Sequence, residues 1–153
     1  MVARHYIDTD VNCIFIEHFG EFAVGEGPAK LWEILADPAF RQGMNFFRDT
    51  SRTVLPDAFG YAYFACTKKH SMSAIEERIG GADEAWLAGG ARDFTVIHQP
   101  SVCTRLTPKG LQRRPFRTID SAFDWLGLPP DYQIRFPAAP CNPFQTVQGA
   151  ALH

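Results

Sequence analysis

The chain has 153 residues and a formal net charge of -2, with 46% hydrophobic and 21% charged residues. This length and composition predict one globular domain that buries its own core without a metal or disulfide staple. Because the net charge is slightly negative, no overall basic field favours nucleic acid as a partner. The amino terminus lacks an apolar signal-peptide core, and no apolar run is long enough to cross a bilayer, so we expect a cytoplasmic protein without a membrane span.

The four cysteines are far apart and never occur as C-x-x-C, and the five histidines lack metal-ligand spacing. Buried reduced thiols are therefore predicted instead of disulfides or zinc ligands. We expect neither a metal nor a cofactor.

Two β-like runs open the chain, at residues 5–7 and 12–19, with turn residues between them. The second run is apolar at both odd and even positions, which predicts a central strand covered on both faces. A helix follows, ended by Asp37-Pro38, and its apolar stripe comprises Leu31, Ile34 and Leu35. Residues 44–47 are then predicted to form a short strand.

A polar loop is predicted for residues 48–56. Asp57 is a good N-cap, so a helix is expected to begin there with a buried stripe of Phe59, Ala62, Tyr63 and Cys66. A second helical piece is expected at residues 74–79, ended by the glycine pair that follows.

The remaining elements are predicted in order: a strand at 85–88, a short helix at 94–97, an edge strand at 111–117 and a last helix at 119–126. Pro100 should limit the short helix, and Pro115 cannot donate to a sheet ladder, which favours an edge position. Thr118 is expected to cap the last helix, whose stripe comprises Ile119, Ala122, Phe123 and Leu126.

The order of elements indicates an α/β fold with a mixed sheet, in which a leading antiparallel hairpin is followed by alternating helices and strands. The folded domain is expected to span residues 1–128. Residues 129–153 are expected to form a proline-rich tail that is partly docked through Tyr132, Ile134, Phe136 and Phe144.

Residues 49–61 read DTSRTVLPDAFGY. They resemble the pattern D-L-S-G-V-T-F-I-D-S-S-G-L of the STAS superfamily, the anti-sigma-factor antagonist fold, with matches at Asp49, Ser51, Asp57 and Gly60. The stretches LADPAFRQGM and FRTIDSAFDWLGL, at residues 35–44 and 116–128, resemble a bacterial STAS-like branch that is compared with the CRAL-TRIO lipid carriers.

The resemblance implies a non-enzymatic protein-binding or regulatory domain. It places the partner surface on a switch loop whose candidate residues are Asp49, Ser51, Thr53, Asp57, Ala58, Phe59, Gly60 and Tyr61. In classical antagonists the position of Ala58 is the phosphorylated serine, so the switch is absent here. On a helix Phe59 and Tyr61 point about 200° apart, and we expect Phe59 to be buried and Tyr61 exposed.

The sequence also bears on two other functions. A carrier or sensor of a small apolar ligand, such as a lipid, is suggested by the many aromatic residues and would need an apolar cavity. Catalysis is not expected, because Asp49 and Asp57 suit structural roles, G-x-S-x-G is absent, and Gly89-Gly90 is more typical of a tight turn than of a phosphate loop.

One short span is locally basic. It contains Arg105, Lys109, Arg113, Arg114 and Arg117, which predict either a solvated face or a weak anion site. The chain is also a candidate homodimer. The tail is a better candidate for the dimer interface than the strand at 111–117, because charged residues and Pro115 discourage pairing at that edge.

Overall fold

The computed structural model describes residues 2–23, 25–63, 72–105 and 110–137. The elements are β1 (Val2–Asp8), β2 (Cys13–Glu21), α1 (Glu26–Leu35), β3 (Asn45–Val54), α2 (Ser73–Ile79), β4 (Ala82–Leu87), α3 (Ala91–Arg105), β5 (Leu111–Phe116) and α4 (Ile119–Leu126). Within these residues, no helix is long and apolar enough to span a membrane.

The five strands form one sheet in the order β1-β2-β3-β4-β5. β1 pairs antiparallel with β2, and every later pair is parallel. A short turn can join antiparallel strands, whereas each parallel pair needs a longer crossover, which the helices supply. The predicted α/β class, the leading hairpin and the alternation of helices and strands are confirmed.

β2 is covered on both faces, as its two-sided apolar pattern predicts. Ile14 and Ile16 face α1 and α2 and belong to a first core, whereas Cys13 and Phe15 face α4 and belong to a second core. A third core lies where the parallel strands end, and it comprises Phe22, Leu55, Phe59, Trp86, Ala88 and Ile97. Burial raises the pKa of the Cys13 thiol to about 12, so this cysteine is unreactive near neutral pH.

The first and last helices follow their predicted patterns. In α1 the predicted stripe is buried. In α4 the Oγ1 of Thr118 accepts a hydrogen bond from the Ser121 N–H, and Gly127 ends the helix with φ 69°. Ile119 was wrongly placed in the buried stripe, because its side chain is 41% exposed at the first helical position.

The polar loop predicted for residues 48–56 is wrong, since β3 continues to Val54. Its second half pairs in parallel with the end of β2, up to Glu21 opposite Val54. The Thr50 hydroxyl also donates to the Leu87 carbonyl at 2.8 Å, which links β3 to the end of β4. These polar residues are part of the strand because their backbone pairs with the neighbouring strand β2.

One predicted helix start and one predicted helix end differ from the structure. Asp57 is not an N-cap, because it lies in a turn and the helical residues begin at residue 61. α3 is 15 residues long and contains Pro100 in its interior. The prediction that the helix ends before this proline is therefore wrong. A proline inside a helix costs about 3 kcal/mol. Ile97, Pro100 and Ser101 are buried on α3, and their packing offsets that loss.

Residues 129–137 lie against the second core through Tyr132, Ile134 and Phe136. The Phe15 ring stacks with the Tyr6 ring and with the Tyr132 ring, at centroid distances of 4.8 Å and 5.0 Å. The boundary at residue 128 stays a prediction, and most of the tail, including Phe144, lies outside the described residues.

Candidate functional site

The first half of the predicted switch segment lies on β3. Asp49 Oδ1 accepts hydrogen bonds from the Ser51 N–H at 2.9 Å and from the Ser51 hydroxyl at 2.5 Å. Ser51 is exposed, whereas Thr53 is buried and its hydroxyl has no partner among the described residues. These three candidates are therefore held in regular sheet and do not belong to a loop.

The second half of the segment is a short loop fastened to α3. The Asp57 carboxylate contacts the Arg92 guanidinium, which also donates to the Leu55 carbonyl at 2.9 Å. The Tyr61 N–H donates to Gln99 Oε1 at 3.2 Å. Contacts with α3 at both ends give this loop a defined shape.

Phe59 is buried and Tyr61 is exposed, as predicted, although Phe59 lies before the helical residues that begin at residue 61. Phe59 is 3% exposed and packs 4.7 Å from the Phe22 ring, whereas Tyr61 is 61% exposed. Val54, where β3 ends, is 63% exposed, and Asp57 and Ala58 are exposed between these two apolar groups. We call the exposed side chains of Val54, Asp57, Ala58 and Tyr61 the 54–61 surface.

The glycine pair after β4 supports β3. A Cβ added at Gly89 would lie 2.7 Å from the Ser51 carbonyl oxygen, whereas a Cβ at Gly90 would meet nothing within 4 Å among the described residues. Gly89 is thus needed for close backbone approach. This agrees with a tight turn and gives no support to a phosphate loop.

Replacing Gly89 by alanine is expected to lower the free energy of unfolding by about 1–3 kcal/mol, because backbone has to move to relieve the clash. Gly90→Ala is the matched control and should change stability by less than about 0.5 kcal/mol. Urea denaturation of the two variants and the wild type measures the difference. Equal stabilities of both variants would contradict the close approach at Gly89.

A chain of ion pairs is buried on the sheet face that α1 and α2 cover. Arg48 Nε lies 2.6 Å from Glu84 Oε1, and Arg113 Nε lies 2.8 Å from Glu84 Oε2. Arg113 Nη1 reaches Glu76 Oε1 at 3.1 Å. Glu84 stands directly opposite Arg113 in the β4–β5 register, which explains why these side chains meet.

The chain of ion pairs shifts two pKa values. Burial by itself would raise the pKa of Glu84, but the charges of Arg48 and Arg113 outweigh it and hold this pKa below its usual value. His18 lies beside Arg48, with Nε2 3.3 Å from Arg48 Nη1. Burial, followed by the Arg48 charge, lowers the pKa of His18 to about 3, so the imidazole is neutral.

A cavity of about 30 Å³ adjoins these ion pairs. Its walls are mainly apolar and include Phe22, Leu31, Phe59, Met72 and Trp86, with Arg48, Glu84 and Arg113 on the polar side. The Trp86 indole N–H faces the Glu84 carboxylate without a well-aligned hydrogen bond. This volume holds a water molecule but no lipid chain.

The basic span does not form one surface. Arg113 is buried between Glu76 and Glu84, whereas the neighbouring Arg114 points to the opposite sheet face and lies 5.8 Å from the Trp125 ring centroid. Arg105 and Arg117 are exposed, and Lys109 lies outside the described residues. The carboxylates around Arg113 neutralise the charge that an anion would need.

Sequence reasoning missed a polar cleft between β1 and the tail. Tyr132 OH donates to Asp8 Oδ2 at 2.7 Å, and its oxygen lies 3.1 Å from the Tyr6 hydroxyl. These residues and Arg135 help to line an open cleft of about 650 Å³. No local pattern joins residues so far apart in sequence. Across the described parts of the chain, no three His, Cys, Asp or Glu side chains could share a metal ion.

No family model and no curated protein match the chain. A similar solved structure is that of an uncharacterized protein from the DUF3478 family with a SpoIIAA-like fold, from Shewanella loihica PV-4. The chains are 14% identical, the likeness covers 82% of this chain and 92% of that one, and the TM-score is 0.49. The description of that structure names a SpoIIAA-like fold, and the comparison of this chain with CRAL-TRIO carriers stays a prediction.

Proposed function

We propose that this chain is a non-enzymatic protein-binding domain whose partner contacts the 54–61 surface. The observation that carries the proposal is the exposure of Val54 and Tyr61, at 63% and 61%, on a segment that α3 holds in place. Exposed aromatic and apolar groups on a fixed backbone bind with little loss of conformational entropy. Such groups are typical anchors of protein interfaces.

The position of the surface supports the same function. It follows β3, an inner strand of the parallel part of the sheet. In open α/β sheets, ligands bind beyond the carboxyl ends of the strands, on loops that a rigid scaffold positions. The ion pair of Asp57 and Arg92 is exposed beside these apolar groups, which suits a partner with an apolar pocket bordered by polar groups.

Ala58 bears on how such binding would be controlled. Alanine has no hydroxyl, so a phosphoryl group cannot be attached at this residue. Ser51 is exposed, but its hydroxyl already donates to Asp49. Under this proposal, binding depends on the amounts and affinity of the two proteins and not on phosphorylation of residue 58.

The carrier of an apolar ligand is less well supported. Pockets for small molecules have volumes of roughly 300–1,000 Å³. The cavity beside Trp86 measures about 30 Å³, and the cleft of about 650 Å³ beside Tyr132 is open and lined by polar groups such as Asp8, Asp131 and Arg135. A lipid would require the aromatic walls of the cavity beside Trp86 to separate, whereas the 54–61 surface needs no rearrangement to meet a partner.

A photo-crosslinking amino acid at Ala58 tests the proposal in cells that produce the chain. The matched control carries the same group at Asp124, which is exposed on α4. We expect a cross-linked protein that occurs with the first chain and not with the second. Equal cross-linking from both positions would contradict a specific partner at the 54–61 surface.

The purified partner then allows an affinity measurement. Tyr61→Ala is expected to weaken binding by roughly tenfold or more, the effect of losing an interface anchor. Ile119→Ala removes another partly exposed apolar side chain, on α4, and should leave the Kd within about twofold. An unchanged Kd for Tyr61→Ala would exclude this surface as the contact.

A further inference from the structure

β1 offers an open sheet edge. It pairs with β2 along its whole length, from Val2 opposite Phe19 to Asp8 opposite Cys13, without a bulge. Among the described residues, no backbone hydrogen bond joins β1 to any strand or helix besides β2. Within the described part of the chain, the outward N–H and C=O groups of β1 have no backbone partner, so a further strand can pair with them.

The other edge of the sheet differs from β1. β5 contains Pro115, which lacks an N–H and interrupts any added ladder. α3 also packs along β5. A regular edge strand is usually guarded by proline, a bulge or outward charges, and β5 has such guards.

The charged side chains of β1 lie over the sheet faces and leave its edge open. The Arg4 guanidinium is 2.7 Å from Glu17 Oε2 and 4.7 Å from the Phe136 ring centroid. His5 points to the opposite face, where its ring nitrogens lie 3.7 Å from Glu33 and 3.8 Å from Asp37. Arg4 and His5 therefore lie over the two sheet faces and do not cover the outward backbone groups of β1.

We propose that the occupant of this edge is β1 of a second copy of the chain, paired antiparallel about a two-fold axis at Tyr6. In this register Arg4 of each copy stands opposite Asp8 of the other, so both ends of the contact carry opposite charges. Centring the axis on His5 would instead place Arg4 opposite Tyr6. Charge complementarity therefore selects the Tyr6 register.

Arg4 and Asp8 can each form a further hydrogen bond with the second copy. Arg4 uses Nε and Nη2 toward Glu17, and its Nη1 remains to donate. Asp8 accepts one bond at Oδ1 from the Asp10 N–H and one at Oδ2 from Tyr132, and each carboxylate oxygen can accept a second. A contact of one strand pair is small, so the dimer is expected to be weak and dependent on concentration.

A charge-swap experiment tests the pairing by sedimentation. Asp8→Arg places arginine opposite Arg4 of the other copy, and Arg4→Asp places aspartate opposite Asp8, so each variant alone should be monomeric. Mixing the two variants recreates both opposite-charge pairs and should restore a dimer. Asp124→Arg makes an equal charge change on α4 and should associate like the wild type.

The wild type supplies a test that does not depend on variant folding. Backbone amide NMR shifts of β1 should change with concentration, and those of β5 should not. Shifts confined to β1, together with dimer formation in the mixture, support the proposal. A wild type that stays monomeric up to roughly 1 mM overturns it, as does a folded mixture that fails to associate or a concentration response that excludes β1.

Discussion

Replacing Arg48 by methionine is expected to lower the free energy of unfolding by about 3–5 kcal/mol at pH 7, the usual cost of breaking a buried ion pair. Arg48 and Glu84 are both almost fully buried, and their charged atoms are 2.6 Å apart. Methionine keeps much of the arginine volume but leaves the Glu84 carboxylate with Arg113 alone. The loss therefore comes from an undercompensated buried charge more than from a cavity.

Arg52→Met is the matched control, because Arg52 lies on the same strand and is mostly exposed near Glu17. An exposed ion pair contributes at most about 1 kcal/mol, so this variant should stay close to the wild type. Adding Glu84→Gln to Arg48→Met removes the stranded charge and should restore part of the stability. Urea denaturation of the four proteins at equal pH measures these differences, and equal effects of the two methionine variants would contradict a buried ion pair.

The same variant has a characteristic pH dependence. The pKa of Glu84 in the folded wild type is lowered, so its stabilising contribution is present above its ordinary pKa and is lost as pH falls through the folded value. In Arg48→Met the folded pKa rises, because one of the two charges that opposed burial is gone. Its stability deficit should therefore be smaller near pH 4, where protonation of Glu84 relieves the cost, than at pH 7.

The elements that sequence predicted well are those whose apolar pattern is local. The two-sided run of β2 and the stripe of α1 require only the residues of one element, because each buries an apolar surface of its own. Thr118 and Gly127 likewise act on their immediate neighbours at the ends of α4. Such signals need no knowledge of what packs against the element.

The second half of β3 was not predictable in the same way. Arg48 reads as a loop residue in an isolated sequence, and it is buried here because Glu84, 36 positions later, neutralises it. Thr50 is likewise satisfied by the Leu87 carbonyl. Opposite charges beside two predicted strands were the available signal, but the strand register needed to match them is a property of the whole sheet.

The 54–61 surface was also predictable only in part. The burial of Phe59 and the exposure of Tyr61 were predicted, although Phe59 precedes the helical residues, which begin at residue 61. The role of Asp57 was not, because its carboxylate contacts Arg92 on α3 instead of capping the residues that follow it. Capping preference is a local tendency of about 1 kcal/mol, and a tertiary contact such as this ion pair can replace it.

Lowering the pH from 6.5 to 4 is expected to cost the wild type about 3 kcal/mol through His18 alone, at about 1.4 kcal/mol for each unit of pH. His18 is fully buried, and its Nε2 faces Arg48 Nη1. Arginine can only donate, so this nitrogen accepts and must be unprotonated. Protonation of the folded state would therefore place a second positive charge beside Arg48.

The sign follows from the two pKa values. The unfolded chain binds a proton at His18 near pH 6.5, whereas the folded chain does so only near pH 3. Between these values the unfolded state holds more protons, so stability falls as pH falls. His18→Gln removes the titration, and its stability should decline less steeply with acid than that of the wild type.

His98→Gln provides the matched comparison, because His98 is exposed on α3. Urea denaturation at several pH values from 7 to 4 should give nearly parallel stability curves for this variant and the wild type. Over the same pH interval the free energy of unfolding of the wild type should fall by about 3 kcal/mol more than that of His18→Gln. If the free energy of unfolding fell equally with acid in the wild type and both variants, His18 would have to bind a proton in the folded state. Its contact with Arg48 could then not persist in acid.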